Sequence, residues 1–253
     1  MEYPKFKVCC RCFTFNQAKF ITDTMNGFTM QQTSFPFVCT IVDDASTDGE
    51  QEVIRRYLEE NFDFSESSAA YHKETEYAHI TYAQHKTNKN CYFAVLCLKE
   101  NHYSQRKPKM KYLSEWRDMC EYEALCEGDD YWIMPDKLQV QYEILENNPN
   151  YSFVYTGFSV VNQEGVILEG HKFEKRMESS YSGNNYFNLL VNMNYIMTLT
   201  TFFRKDAIYI KPEVYDYGIF LNASRLGYGY FSPNRTSNYS INPISVPLKS
   251  GRS

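Results

Sequence analysis

Three apolar runs that each break off in a polar cluster, with helical patterns between them, constrain this chain more than any other feature. Phe6 to Phe13 is mostly apolar and stops at Thr14-Phe15-Asn16. Phe35 to Asp43 is entered past Pro36 and stops abruptly in Asp43-Asp44-Ala45-Ser46-Thr47-Asp48-Gly49. Tyr122 to Cys126 runs straight into Glu127-Gly128-Asp129-Asp130-Tyr131-Trp132. Short apolar runs bounded by turn residues read as buried strands. After the first run, Phe20, Ile21, Met25 and Phe28 recur at helical spacing, and after the second, Val53, Ile54, Tyr57 and Leu58 do the same. Thr47 with Glu50 three residues on is the pattern of a capping box, in which each side chain caps a backbone amide at the helix start. Strands alternating with helices specify an α/β protein with a mainly parallel central sheet, and such sheets bind ligands at the carboxyl ends of their strands. The three polar clusters are therefore predicted to converge on one rim.

The rest of the chain is patterned less sharply. Ile80 to Ala83 reads as a short strand, and Cys91 to Leu98 as part of a helix. Gln105 to Lys111 carries Arg106, Lys107, Lys109 and Lys111 around a proline. That run is either a solvated loop or a contact for a pyrophosphate or an anionic lipid surface. Pro135 stands at the first turn of a helix lined by Leu138, Tyr142 and Leu145, which Asn147-Asn148-Pro149 stops. Ser152 to Val161 reads as a strand that turns through Asn162-Gln163-Glu164-Gly165 into Val166-Ile167-Leu168. Tyr186 to Val191 and Phe220 to Leu226 read as helices, and Leu199 to Phe203 as a strand. The segment 232–253, with Pro233, Pro243 and Pro247, reads as loop or tail.

Length and charge remove whole classes of function. A chain of 253 residues buries one good core, so 1–253 is expected to form one domain. A net charge of −5 with no basic excess argues against nucleic-acid binding through phosphate neutralisation. No apolar run approaches the roughly 18–20 residues that span a bilayer, and the first residues lack the layout of a secretion signal. A cytoplasmic location is the expectation. Cys9-Cys10-Arg11-Cys12 contains a C-x-x-C spacing inside an extended apolar segment, with no second such pair to complete a zinc site, so the eight cysteines are predicted to be buried free thiols. Asp44 to Gly49 matches the start of a calcium-binding loop, but the twelfth position is Arg55 where glutamate is needed, and a strand precedes it. Phosphate-binding G-x-x-x-x-G-K-[ST], dinucleotide-binding G-x-G-x-x-G and hydrolase G-x-S-x-G patterns are missing from the sequence.

Close like charges repel unless a cation or a hydrogen-bond donor intervenes. Asp129-Asp130, with Glu127 two residues earlier, makes an all-oxygen cluster suited to Mg²⁺ or Mn²⁺. A hard ion there also holds phosphate oxygens, and it stabilises the charge that builds on a departing nucleoside diphosphate.

These residues resemble the family 2 glycosyltransferases, inverting enzymes of the GT-A fold and of the kind that build bacterial surface and capsular polysaccharides. Three landmarks carry the resemblance. Phe13-Thr14-Phe15-Asn16-Gln17 is similar to the family's Pro-Thr-Tyr-Asn segment, with Phe13 in the place of proline. Val42-Asp43-Asp44-Ala45-Ser46-Thr47-Asp48-Gly49 is close to Val-Asp-Asp-Gly-Ser-Thr-Asp-Gly. Leu125 to Leu138 matches the family's metal-binding Asp-Asp followed by a tryptophan and a Pro-Asp-Lys-Leu helix. The resemblance implies a three-layer α/β/α nucleotide-diphospho-sugar transferase fold, with residues 1–150 as the nucleotide-sugar half and 151–231 as the acceptor half. It implies that Thr14, Phe15, Asn16, Asp43, Asp44 and Asp129 bind a nucleotide-diphosphate sugar, a UDP-sugar being favoured. It further implies Mn²⁺ or Mg²⁺ on Asp130 and Asp129, with Asp130 the direct ligand, and Trp132 packed beneath.

The family's general base is an Asp or Glu at a helix start in the acceptor half, and Asp216 fits that description, as it also fits a helix N-cap. The acceptor is a saccharide or lipid-linked hydroxyl, which leaves room for peripheral membrane association. The second half departs from the family. Lys86-Thr87-Asn88-Lys89-Asn90 stands where a Gly-rich, Arg-Asn segment is expected, and Tyr239-Ser240 where Tyr-Arg is expected. A non-catalytic nucleotide-sugar-binding or assembly partner on the same fold is therefore the alternative to an enzyme.

Overall fold

A computed structural model describes residues 3–192, 195–208 and 216–241. The element order is β1 (Val8–Thr14), α1 (Ile21–Thr29), β2 (Phe37–Asp43), α2 (Glu50–Asn61), β3 (Phe62–Asp63), β4 (Tyr71–Glu74), β5 (Ala78–His85), β6 (Cys91–Leu98), α3 (Ser114–Arg117), β7 (Tyr122–Leu125), β8 (Tyr131–Trp132), α4 (Lys137–Asn147), β9 (Tyr151–Val161), α5 (Asn185–Asn192), β10 (Phe202–Arg204), α6 (Asp216–Leu226) and β11 (Tyr228–Ser240). The strands form one sheet in the order β3-β5-β6-β2-β1-β7-β10-β9-β11-β8, with β4 paired to β5.

The centre of the sheet is parallel: β6, β2, β1 and β7 run side by side in one direction. Both faces of β2 are buried along its whole length, which is why Phe37 to Val42 is nearly unbroken apolar sequence. On one face, α1, α2 and α4 pack Met25, Phe28, Ile54 and Leu138 against Cys10, Cys39, Ile41 and Phe93. On the other, Trp116 of α3 packs with Cys9, Val38 and Leu96, while Leu189 of α5 and Phe220 of α6 pack with Phe153 and Phe203. Three layers follow from two apolar faces. All eight cysteines are free thiols, seven of them buried.

Five sequence readings change, the first at Leu199 to Phe203, where a 3-10 turn at Thr198–Thr200 precedes the strand β10. Cys91 to Leu98 is the strand β6 and not a helix: it pairs in register with all of β2, and an apolar run of this length carries no periodicity that separates strand from helix. The short strand at Ile80 to Ala83 extends to Ala78–His85, antiparallel to β6. Thr47 and Glu50 do not form a capping box, because Gly49 in a left-handed conformation stands at the N-cap and α2 has no side-chain cap there. Residues 232 to 240 belong to β11, the partner of β9 in parallel register. Pro233 is accommodated where that register shifts between Ser232 and Arg235. Gly157 faces it, and a side chain there would stand 2.7 Å from the Pro233 carbonyl. Among the described residues, no helix is long and apolar enough to cross a membrane.

Candidate active site

β1 is flanked by β2 on one side and by β7 on the other, so the chain leaving β1 and the chain leaving β7 diverge at a switch in strand order. A cleft of about 260 Å³ opens there, lined by Phe13, Thr14, Phe15, Gln17, Asp44, Tyr103, Lys109, Glu127, Gly128 and Asp129. The predicted convergence of the three polar clusters is thereby met. Asp44 N–H donates to the Thr14 carbonyl at 3.0 Å and Gly128 N–H to the Phe13 carbonyl at 3.1 Å, tying all three strand ends together.

The polar side chains behind the cleft divide between lining and bracing. Thr14 donates its hydroxyl to the Glu50 carboxylate, which also accepts from Gln17 N–H and from the Ser46 hydroxyl, both at 2.8 Å. Glu50 is fully buried, and these three bonds fasten the β1 loop to the β2 loop. Asn16 adopts a left-handed conformation, donates its N–H to Ser46 Oγ and accepts from Thr47 N–H, each at 2.8 Å. Asp43 is buried and accepts from Ser46 N–H at 3.1 Å and from the Gln51 side chain. Asn16 and Asp43 thus brace the rim, while Thr14, Phe15, Asp44 and Asp129 line the cleft.

Asp44 is occupied from behind: it accepts from His102 N–H at 2.7 Å, from Tyr103 N–H at 3.0 Å and from Lys109 Nζ at 2.9 Å.

The two adjacent aspartates point in different directions. Asp129 faces the cleft, where the Gln17 amide approaches it at 3.5 Å. Asp130 is buried and accepts from Ser240 N–H of β11 at 3.0 Å, which ties the loop after β7 to the far strand. Burial raises the Asp130 carboxyl well above the usual range, with the Asp129 charge adding to the rise. Burial also raises Asp129. Glu127 is pushed up to about 7 by burial, opposed by the Arg11 guanidinium and augmented by Asp216 and Asp129. Trp132 is buried against Phe28 and donates its indole N–H to the Leu199 carbonyl at 2.9 Å, as expected of a packing residue.

Asp216 opens α6 and is reached by solvent. Crowding by the surrounding protein raises its carboxyl pKa, and the same Arg11 guanidinium opposes the rise. The charge of Asp216 thus adds to the rise at Glu127, and the Arg11 guanidinium opposes the rise at both. Arg11 itself is buried in β1, 3.3 Å from the buried Glu123 carboxylate.

Several of these residues were not selected from sequence. Lys109 emerges from the basic run as the residue of that run in the cleft, whereas Lys107 pairs with Glu100 at its edge. Asn101-His102-Tyr103 had no motif to mark it. Lys86 to Asn90 lies at the opposite rim: Cys91 begins β6 beside Phe37, the amino end of β2, and Asn88 and Asn90 bond to the carbonyls of Thr29, Gln31 and Thr33. The segment that follows the carboxyl end of β6, 99–109, takes the place on the cleft rim.

No family model matches the chain. It is 26% identical over 196 residues to "Uncharacterized protein Rv1520" of Mycobacterium tuberculosis and to "Uncharacterized protein Mb1547" of Mycobacterium bovis. Those matches cover 78% of this chain and 46% of theirs, so the chain spans about half the length of these curated relatives. Among solved structures, it is similar to Staphylococcus aureus TarS residues 1–349 in complex with UDP, with a TM-score of 0.57 and 16% identity over 94% of this chain and 61% of that one. It is similar also to the mannosyltransferase PcManGT from Pyrobaculum calidifontis in complex with GDP-Man and Mn²⁺, with a TM-score of 0.57 and 15% identity over 96% and 59%. The fold is GT-A. Within a GT-A fold, the cleft at the ends of β1, β2 and β7 occupies the switch point of the sheet; Asp216, at the start of α6, is not among the residues that line it.

Proposed function

We propose that this chain is a glycosyltransferase that moves a sugar from a nucleoside diphosphate to an acceptor hydroxyl with inversion at the anomeric carbon. The observation that carries the proposal is the meeting of Thr14, Asp44, Lys109, Glu127 and Asp129 on one cleft at the carboxyl ends of three adjacent parallel strands. In support, similar solved structures hold UDP, UDP-GlcNAc and GDP-Man. On the resemblance of the motifs alone, we extend the proposal to polysaccharide assembly in the cytoplasm.

The cleft chemistry fits a divalent ion held jointly with the substrate. Among the described residues, no three carboxylates, histidines or thiols come together to hold an ion by themselves. Asp129, with Glu127 beside it, offers hard oxygen ligands, and Mg²⁺ sites commonly complete their shell with phosphate oxygens and water. Such an ion, when bound, would neutralise charge on the departing diphosphate. Asp130 is assigned to positioning, because Oδ1 of its buried carboxylate accepts the Ser240 N–H.

The chain's own residues account for the rest. Thr14 and Asp44 anchor the nucleotide pocket, and Lys109 adds a positive charge at its wall. Asp216 takes the proton from the acceptor hydroxyl as that oxygen attacks the anomeric carbon. The bond from that carbon to the diphosphate oxygen breaks on the opposite side and takes its electron pair with it. In support of this reading over a non-catalytic binding partner, the charge of Asp216 adds to the rise of the cleft-lining Glu127 carboxyl.

The test is the melting temperature with UDP, GDP, ADP and CDP, each with Mn²⁺, Mg²⁺ or chelator. A ligand that binds only the folded state raises it by adding stability, about 2.7 kcal/mol at a hundred times its Kd. The expected result is a metal-dependent rise with one diphosphate that Asp129→Asn abolishes and Asp130→Asn retains, since an amide oxygen still accepts the Ser240 N–H. No rise with any of the four at millimolar concentration would remove the nucleotide site.

A further inference from the structure

The segment 99–109 leaves β6 at the same rim as Asp43 and Asp44, since Cys97 pairs with Asp43 in the β2–β6 ladder. Its backbone is held unusually well for an exposed loop. The side chain of Asp44 accepts from His102 N–H, Tyr103 N–H and Lys109 Nζ, and the Asp44 carbonyl accepts from the Asn101 amide at 3.0 Å. The turn closes on itself through Ser104 N–H to Asn101 Oδ1 at 2.7 Å, Arg106 N–H to the Tyr103 carbonyl at 3.1 Å and Lys107 N–H to the His102 carbonyl at 2.9 Å.

Against this fixed backbone, the Tyr103 side chain stands free. It is 80% exposed, lines the cleft, and makes no hydrogen bond or ring contact among the described residues. Across the cleft lining, Phe15 is also 43% exposed. Leaving an aromatic ring in water costs apolar burial worth about 25 cal/mol per Å², and a ring whose backbone is pinned in advance loses little entropy when a flat ligand covers it.

We infer that 99–109 is a base-binding loop, with Asp44 as its anchor and the Tyr103 ring as a stacking surface for the base of the nucleotide. The inference rests on the nucleotide site proposed above and assigns its base end. Asp44 then acts through the loop, since both its oxygens already hold loop donors and the residue is fully buried. A ring stacks on any base, so Tyr103 contributes affinity across bases, and selection among them falls to other groups.

The experiment compares wild type with Tyr103→Ala, Tyr103→Phe and Tyr103→Trp, using calorimetric titration with the diphosphate found by melting and with inorganic pyrophosphate, both with Mn²⁺. Base–aromatic stacking adds affinity whatever the base, so Tyr103→Ala is expected to weaken the nucleoside diphosphate about ten-fold, about 1.4 kcal/mol, while Tyr103→Phe stays within about two-fold of wild type. Pyrophosphate affinity is expected to be the same in all four proteins. In Tyr103→Trp the introduced indole is the exposed one, because Trp116 and Trp132 are buried. Its emission should be quenched by the nucleoside diphosphate and not by pyrophosphate. Unchanged nucleotide affinity in Tyr103→Ala overturns the stacking role and leaves the nucleotide site standing. An equal loss of pyrophosphate affinity also overturns it, since the residue would then be shaping the loop. A wild-type protein that binds no nucleoside diphosphate takes both readings down together.

Discussion

The proposed nucleotide side and the proposed acceptor side of the molecule are built by different means. On the nucleotide side, polar groups hold polar groups: Glu50 takes three donors, Asp44 takes three, and Asn16 and Asp43 lace the loops between them. On the acceptor side, Asp216 rides on α6, which is seated by Phe220, Ile219 and Ala223 in an apolar cluster with Phe153, Phe203 and Leu189. Hydrogen bonds in a buried network fix position and direction, whereas apolar packing fixes a helix but leaves its first turn to solvent. The nucleotide side is thus shaped before a ligand arrives, and the acceptor side presents one carboxylate on a platform. The two halves of the proposed reaction are separable on that basis.

The largest expected effects set the two sides directly against each other. A Cβ at Gly128 would stand 2.0 Å from Thr14 Oγ1 and 2.4 Å from Thr14 Cβ. Thr14 cannot give way without breaking its bond to Glu50, so Gly128→Ala should displace the whole rim and abolish the nucleotide-dependent rise in melting temperature. Asp216→Asn should leave that rise intact while lowering kcat by about 10²–10⁴-fold, the usual contribution of a general base. If Asp216→Asn weakens nucleotide binding as much as Gly128→Ala does, the two sides are one unit and the contrast fails. Titration calorimetry beside turnover measurements distinguishes these outcomes.

Legibility in the sequence follows the same division. The strands β1, β2 and β7 and the helices α1, α2 and α4 could be read because buried runs and 3.6-residue periodicity are local signals, and the rim followed from them. What could not be read depends on partners distant in sequence. Glu50 has a local reading as a capping residue, and only its distance to Thr14, 36 positions away, gives it the bracing role. Asp129 and Asp130 are chemically equivalent in sequence, and the amide of Ser240, 110 positions on, separates them. β6 misled because eight apolar residues between two sheet neighbours carry neither period. Tyr103 carried no signal at all, since its meaning comes from the Asp44 carboxylate behind it.

A smaller effect tests the seam between the sides. Lys137 of α4 is fully buried, donates to Gln141 Oε1 at 2.7 Å and lies 4.5 Å from the centre of the Trp132 ring. Gln141 in turn donates to the Thr200 carbonyl at 2.9 Å, next to the Leu199 carbonyl that Trp132 holds. Burial pushes the Lys137 amine down from 10.5 to about 7. The folded protein therefore binds fewer protons than the unfolded chain between pH about 7 and 10.5. Stability contributed by this group rises with pH across that window, at up to about 1.4 kcal/mol per unit, and the full cost of burial is felt below it. Lys137→Met should raise stability at pH 6.5 by roughly 2 kcal/mol after the lost Gln141 bond, and flatten the difference toward pH 9. Urea unfolding at pH 6.5, 7.5 and 9 measures it. A difference from wild type that stays constant with pH would mean that Lys137 remains charged in the fold, and that the seam, like the nucleotide side, is held by ionic groups.

The smallest effect probes what holds the nucleotide side in shape. Ala45 lies between Asp44 and Ser46 at φ 62°, a left-handed conformation that costs a residue with a Cβ about 1 kcal/mol or more relative to glycine. Such strain persists only where the surroundings over-determine the backbone, and here Asp43 and Asn16 grip the amides of Ser46 and Thr47 while Asp44 is fixed by the 99–109 loop. Ala45→Gly should therefore raise the melting temperature by about 2–4 °C, with the greater backbone freedom of glycine in the unfolded chain keeping the gain small. Because hydrogen bonds and not the Cβ set the loop, nucleotide affinity should change by less than about two-fold, well under 0.5 kcal/mol. A stabilised protein with clearly weaker nucleotide binding would show the opposite: that the rim relies on a stiff residue at 45, and that its network of buried carboxylates is less decisive than the contrast with the acceptor side requires.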